Sequence, residues 1–171
     1  MRSLALLATS TILLLGACGT ATSDASDAAA EVIGTGKQAD YDFSAETLDG
    51  SVLEGTSLEG RPAVLWFWAP WCPTCRAQSP NVSALAEEYD GEVAVVGVGG
   101  LDDATAISDL AARIPHVTHL VDEEGEVWQH FRVTAQSTYT VINTDGEIFV
   151  ERYLDDAELN DLVARLAAKA S

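Results

Sequence analysis

The feature that most constrains this chain is an apolar run, Ala63-Val64-Leu65-Trp66-Phe67-Trp68, followed at once by Trp71-Cys72-Pro73-Thr74-Cys75. A continuous apolar stretch of this length reads as a strand buried on both faces, and such strands belong to sheets covered by helices. The Cys pair falls where the strand ends and a helix opens. Pro73 suits the first turn of that helix, where no intrahelical donor is lost. The unpaired N–H groups and the dipole at a helix start favour a thiolate. The spacing therefore predicts Cys72 as the exposed, acidic thiol and Cys75 as a shielded one, a turn further in. Two Cys with two residues between them can form half of a metal site, a structural disulfide or a redox dithiol. The strand-then-helix setting favours the redox dithiol, with Cys72 attacking a partner and Cys75 resolving the mixed disulfide.

From about residue 40 the remaining pattern is mixed α/β. Tyr41 to Ala45 and Val52-Leu53 read as short strands around an Asp49-Gly50 turn. The active-site helix is expected from Pro73 to Tyr89, broken or kinked at Pro80. Val93 to Val98 is a second buried strand. Asp102 to Arg113 is a helix capped by Asp102 or Asp103. His119 to Val121 is a short strand and Glu124 to Phe131 a short helix. Tyr139 to Asn143 and Glu147 to Arg152 form a hairpin through Asp145-Gly146. A last helix starts at Asp155 or Asp156, ends near Ala168, and carries Leu159, Leu162, Val163 and Leu166 on one face. Strands alternating with helices, then a late hairpin, predict a mixed sheet with helices on both faces.

The chain has 171 residues, enough for one ordinary domain. Its formal charge of −18 excludes a nucleic-acid binder, which needs a basic surface, and a polybasic membrane-surface module. Three Cys leave one over. Leu4 to Leu15 is a mostly apolar run after Arg2, too short to span a bilayer but suited to a signal-peptide core. Leu15-Gly16-Ala17-Cys18 resembles the bacterial lipoprotein signal. That resemblance implies cleavage before Cys18, lipid on its sulfur, and a place in the cell envelope on the extracytoplasmic side, where disulfides are permitted. Gly19 to about Gln38 is rich in small and polar residues and reads as a flexible tether spanning roughly 25 Å. The expected organisation is a signal peptide over 1–17, lipid anchor and tether over 18–39, and one folded domain over 40–171.

The string Phe67-Trp68-Ala69-Pro70-Trp71-Cys72-Pro73-Thr74-Cys75, with Pro80 after it, resembles the active-site segment of the thioredoxin superfamily. Within it, Phe43…Asp49-Gly50, Leu58-Glu59-Gly60-Arg61-Pro62 and Tyr139…Asp145-Gly146 resemble the extracytoplasmic TlpA/ResA/DsbE branch. Val64 to Pro73 is most similar to secreted DsbE-like proteins of actinobacteria. The resemblance implies a thioredoxin-like α/β fold: a mixed central β-sheet, helices on both faces and an N-terminal β-hairpin extension. It implies a monomeric thiol–disulfide oxidoreductase that exchanges disulfides with extracytoplasmic protein thiols and a membrane redox partner. Such an enzyme needs no organic cofactor and no metal, because Cys72 and Cys75 are the redox group.

Two departures from the family matter. Thioredoxins carry a buried Asp six residues before the first Cys; here that position is Trp66, so deprotonation of Cys75 must rely on water or another group. The family's cis-proline facing the dithiol falls, counting back from Asp145-Gly146, on Ser137. Without proline a cis bond costs about 3–4 kcal/mol, so the Gln136–Ser137 bond is expected trans, with a hydroxyl facing the sulfurs. Trp71, Pro73, Thr74, Gln136 and Ser137 form the expected partner-binding rim.

The other candidates have plainer readings. Trp66 and Trp68 read as strand residues facing the two sides of the sheet, and Trp128 as core. Arg76 reads as a solvated helix residue, although it follows the dithiol. His116, His119 and His130 read as surface or structural rather than metal ligands. The acidic pairs Asp102-Asp103, Glu123-Glu124 and Asp155-Asp156 read as caps and solvated loops. The alternative function is a Cu(I)-binding metallochaperone using the same two soft thiolates. An inert lipoprotein braced by the Cys pair is a weaker reading. A peroxiredoxin fails on Ala69, where a Thr is needed.

Overall fold

The structure is a computed structural model that describes residues 34–170. The segments expected as signal peptide (1–17), Cys18 and most of the expected tether lie outside the described residues. Strands β1 (Lys37–Gln38), β4 (Ala63–Trp68), β5 (Ala94–Gly99), β6 (Thr118–Val121), β7 (Thr138–Ile142) and β8 (Glu147–Arg152) form one sheet in the order β1-β8-β7-β4-β5-β6. Helices are α1 (Pro73–Glu88), α2 (Ala104–Ala111), α3 (Glu126–His130) and α4 (Asp156–Ala170). A separate hairpin joins β2 (Ser44–Glu46) to β3 (Val52–Glu54), and a 3-10 turn (Gly55–Leu58) leads from it towards β4. β4 pairs parallel with β5 and antiparallel with β7, so the sheet is mixed and β4 lies inside it. This is the thioredoxin-like α/β fold, extended by an N-terminal hairpin.

Two apolar clusters divide at the sheet. One joins Val64, Trp66 and Trp68 of β4 to α1, α2 and α4, through Val82, Ile107, Leu159 and Val163. The other joins Leu65 and Phe67 to Trp128 of α3, to Phe131 and to Phe43 and Leu53 near the hairpin. Each large apolar side chain taken out of water stabilises the fold by roughly 1.5–3 kcal/mol.

Trp66 and Trp68 do not face opposite sides of the sheet. Residues two apart in a strand share a face, and the two indoles stack with ring centres 5.7 Å apart. Their neighbours on β5 are Gly97 and Gly99. A Cβ on Gly99 would come within 2.7 Å of the Trp68 ring, so the small residues make room for the large ones.

Two other expectations change. Lys37–Gln38, assigned to the tether by composition, is an edge strand paired with Ile148 and Glu147 of β8. An edge strand is held by main-chain bonds and one ion pair, here Lys37 with Glu151, so it needs no apolar signature. The active-site helix also runs through Pro80 as a single α1. Proline offers no N–H to the Arg76 carbonyl one turn back. The Ser79 hydroxyl donates to that carbonyl instead, at 2.9 Å.

Candidate active site

The site stands at the C-terminal end of β4, where the chain turns through Ala69, Pro70 and Trp71 into α1. Cys72 is the N-cap of α1, and its Sγ accepts the Cys75 backbone N–H at 3.1 Å. The turn is fixed by Cys72 N–H donating to the Ala69 carbonyl at 3.1 Å. Arg76 Nε donates to the Pro70 carbonyl at 2.8 Å. The guanidinium is thus tied to the backbone and makes no hydrogen bond to either sulfur. The Cys72 and Cys75 sulfurs stand at disulfide distance, with Cα atoms 5.3 Å apart. Pro73 occupies the first turn of α1.

Cys72 is not exposed as the helix-start argument predicted; it is only 3 % accessible. The cover includes a segment far away in sequence. Ser137 Oγ lies 3.5 Å from Cys72 Sγ and 3.2 Å from Cys75 Sγ. Every peptide bond among the described residues is trans, including Gln136–Ser137. Ser137 instead takes a left-handed backbone (φ 67°), and its N–H donates to the Phe67 carbonyl at 2.9 Å. Proline could not make that bond, which fastens the loop to the end of β4.

Trp71, Pro73 and Thr74 form the exposed rim beside the sulfurs, while Gln136 is half-buried. Trp71 is 50 % exposed, and its Nε1 donates to the carbonyl of Leu101 at 3.0 Å. Leu101, whose carbonyl accepts that bond, is itself 48 % exposed.

Position 78 was not singled out in the sequence and belongs to the site's support. Gln78 is buried one turn past Cys75; its Oε1 accepts from Trp66 Nε1 at 3.0 Å and its Nε2 donates to the Leu154 carbonyl at 3.4 Å. The available signal was a polar residue on the apolar stripe Cys75, Gln78, Val82, Leu85 of α1.

The histidines stay apart from the dithiol. His130 bonds the Asp40 carbonyl at 2.7 Å, and His116 lies 3.9 Å from Glu87. His119 packs edge-on against Trp68, and burial pushes its imidazole down to about 4. Among the described residues no group of three or more His, Cys, Asp or Glu is placed to hold a metal. Among those residues no nitrogen or further sulfur ligand joins the two thiols, and the Cu(I) reading is unsupported.

The family model for Redoxin matches residues 34–166. The chain belongs to the Redoxin family. It is 35 % identical over 131 residues to the soluble secreted antigen MPT53 of Mycobacterium tuberculosis, covering 75 % of each chain. It is 32 % identical to the thiol-disulfide oxidoreductase ResA of Oceanobacillus iheyensis, over 60 % of this chain and 55 % of that one. The solved structure of mycobacterial DsbF superposes with a TM-score of 0.69 at 43 % identity, over 74 % of this chain and 96 % of that one. With its Cys pair at the start of α1, this Redoxin-family member is a thiol–disulfide oxidoreductase.

Proposed function

We propose that this oxidoreductase exchanges disulfides with protein partners outside the cytoplasm, held at the membrane by lipid on Cys18. Cys72 is the nucleophile and Cys75 the resolving thiol. The observation that carries this reading is the N-cap geometry: the Cys75 N–H donates to Cys72 Sγ. That bond, with the dipole at the start of α1, stabilises a Cys72 thiolate over a Cys75 thiolate. Trp71, Pro73, Thr74, Gln136 and Ser137 surround the sulfurs and receive the partner chain. The relatives support the compartment, since MPT53 is described as secreted. The redox group is the Cys pair itself.

The test is the equilibrium potential of the pair in glutathione and dithiothreitol buffers, on the chain carrying Cys18→Ser. Reversible two-electron cycling supports the reading, and a pair that does not cycle overturns it. A potential above about −180 mV marks a disulfide donor, and one below about −270 mV a reductant. Cys75→Ser is expected to trap partners as mixed disulfides on Cys72, whereas Cys72→Ser traps none. Anchoring is read separately, by fatty-acid labelling of the whole chain in a bacterial envelope. Cys18→Ser abolishes the label if Cys18 is the anchor.

A further inference from the structure

Resolution of a mixed disulfide requires two proton movements. Cys75 must lose its proton to attack Cys72 Sγ, and an alkyl thiolate leaving from the partner must gain one. Among the described residues no carboxylate or histidine hydrogen bonds either sulfur. Position 66 is a Trp whose N–H is committed to Gln78, and the Gln78 amide is bound at both ends. The side-chain group that reaches both sulfurs is the Ser137 hydroxyl, at 3.2 Å from Cys75 Sγ and 3.5 Å from Cys72 Sγ. It is buried, at 6 % exposure. Its backbone is fixed by the N–H bond to Phe67, so the hydroxyl is held in place.

We propose that Ser137 is a catalytic residue that relays the resolution proton from Cys75 to the departing partner sulfur. This rests on the exchange with protein partners proposed above. In the step, the Cys75 S–H proton passes to Ser137 Oγ as Cys75 Sγ attacks Cys72 Sγ. The Cys72–partner S–S bond breaks and the Cys72–Cys75 bond forms. The hydroxyl's own proton passes to the partner sulfur, which leaves as a neutral thiol. One disulfide is lost and one gained, with no outside oxidant. A hydroxyl both accepts and donates, so one atom serves both transfers. In the reduced enzyme the same hydroxyl donates to the Cys72 thiolate.

Titratable groups on the surrounding elements do not replace it. On α1 Arg76 is bonded to the Pro70 carbonyl. On β7 the Tyr139 hydroxyl is pushed well above its ordinary value, first by burial and then by the charge of Asp156 at the start of α4. Asp102 and Asp103, past Leu101, bond backbone N–H groups of their own loop and of the start of α2.

The experiment uses the full chain with Cys18→Ser, reduced, and mixed with oxidised glutathione. Acid-quenched samples are resolved by mass into reduced, mixed-disulfide and oxidised forms over a range of pH. Ser137→Ala and Ser137→Gly both remove the hydroxyl. Gly also suits the left-handed backbone, so it separates chemistry from folding. The expected result is accumulation of the mixed disulfide in both variants. Its resolution is slowed by about a hundredfold, the low end for general acid–base catalysis, and becomes steeply faster with rising pH. With thionitrobenzoate as the leaving group, which departs as an anion, both variants are expected to resolve within a few-fold of wild type. Wild-type rates and pH profile in both variants would overturn the relay and leave the exchange reading standing. An equal slowing with both leaving groups would also overturn it, because a positional defect does not depend on leaving-group basicity. If the unmodified site fails to react with glutathione disulfide, both readings fall.

Discussion

At the scale of single residues, the buried polar contacts beneath the dithiol can be tested one by one. Trp66→Phe removes the donor to Gln78 and leaves a buried amide oxygen unpaired. That change is expected to cost about 1–3 kcal/mol in a urea unfolding experiment; no loss would mean that Gln78 finds another donor. His119 gives a pH prediction. Burial lowers its folded-state value from 6.5 to about 4, against a smaller opposing effect of its bond to the Ile114 carbonyl. Between those values the unfolded chain binds the extra proton. Stability from this group is therefore complete above the unfolded value and is lost as pH falls towards 4. The full effect is about 3 kcal/mol. Unfolding free energies measured from neutral pH downward should fall less steeply in His119→Gln than in wild type, and parallel slopes would refute the assignment. Much at this scale was legible. Ser137 was placed opposite the sulfurs by counting back from a turn, whereas Trp66 and Trp68 were assigned to opposite faces although strand parity puts residues two apart on one face. The burial of Cys72 was missed even though Ser137 was expected to face it, because the helix-start argument weighs only local chain and not how closely that loop packs on the sulfur.

At the scale of elements, α1 shows how a helix carries a proline. The Ser79 hydroxyl occupies the carbonyl that Pro80 leaves without a partner. Ser79→Ala is therefore expected to cost about 1 kcal/mol in the wild-type helix. The cost should be clearly smaller in a Pro80→Ala background, where the backbone N–H returns. Equal costs in the two backgrounds, in a double-mutant cycle, would show that the hydroxyl does not compensate. Of the two outcomes expected at Pro80, a break or a kink, the break does not occur: α1 continues through it. Strong periodic elements were clear in the sequence, β4 and β8 to the residue. The first strand was expected at Tyr41 to Ala45 and lies at Ser44–Glu46, because Tyr41 and Phe43 bond within a turn and to Gly55. β1 was missed because an edge strand of two residues leaves no periodic trace.

For the whole molecule, charge is the dominant global property. A net −18 on one domain-sized chain makes the folded state repel itself. Raising salt to about 1 M shortens the screening length to about 3 Å and weakens that repulsion. The unfolding midpoint is expected to rise, by roughly 3 °C for each kcal/mol of repulsion relieved. A midpoint that falls in sodium chloride would mean that surface ion pairs such as Arg152–Glu158 outweigh the excess charge. The sheet class and its helix cover were readable from the alternation of patterns. The division of helices was not, since it depends on the side on which each connection crosses the sheet; α1, α2 and α4 share one face.

The position of β1 has a mechanical consequence. A pull on the chain ahead of Thr35 loads the margin of the sheet first, where Thr35 and Ala39 bond to Ile148 and Gly146. Those few bonds can peel away as a fuse, dissipating the load. In the sheet order, β8 and β7 stand between β1 and β4. Tension applied there unzips the margin of the sheet before it reaches β4 and the sulfur geometry at its end.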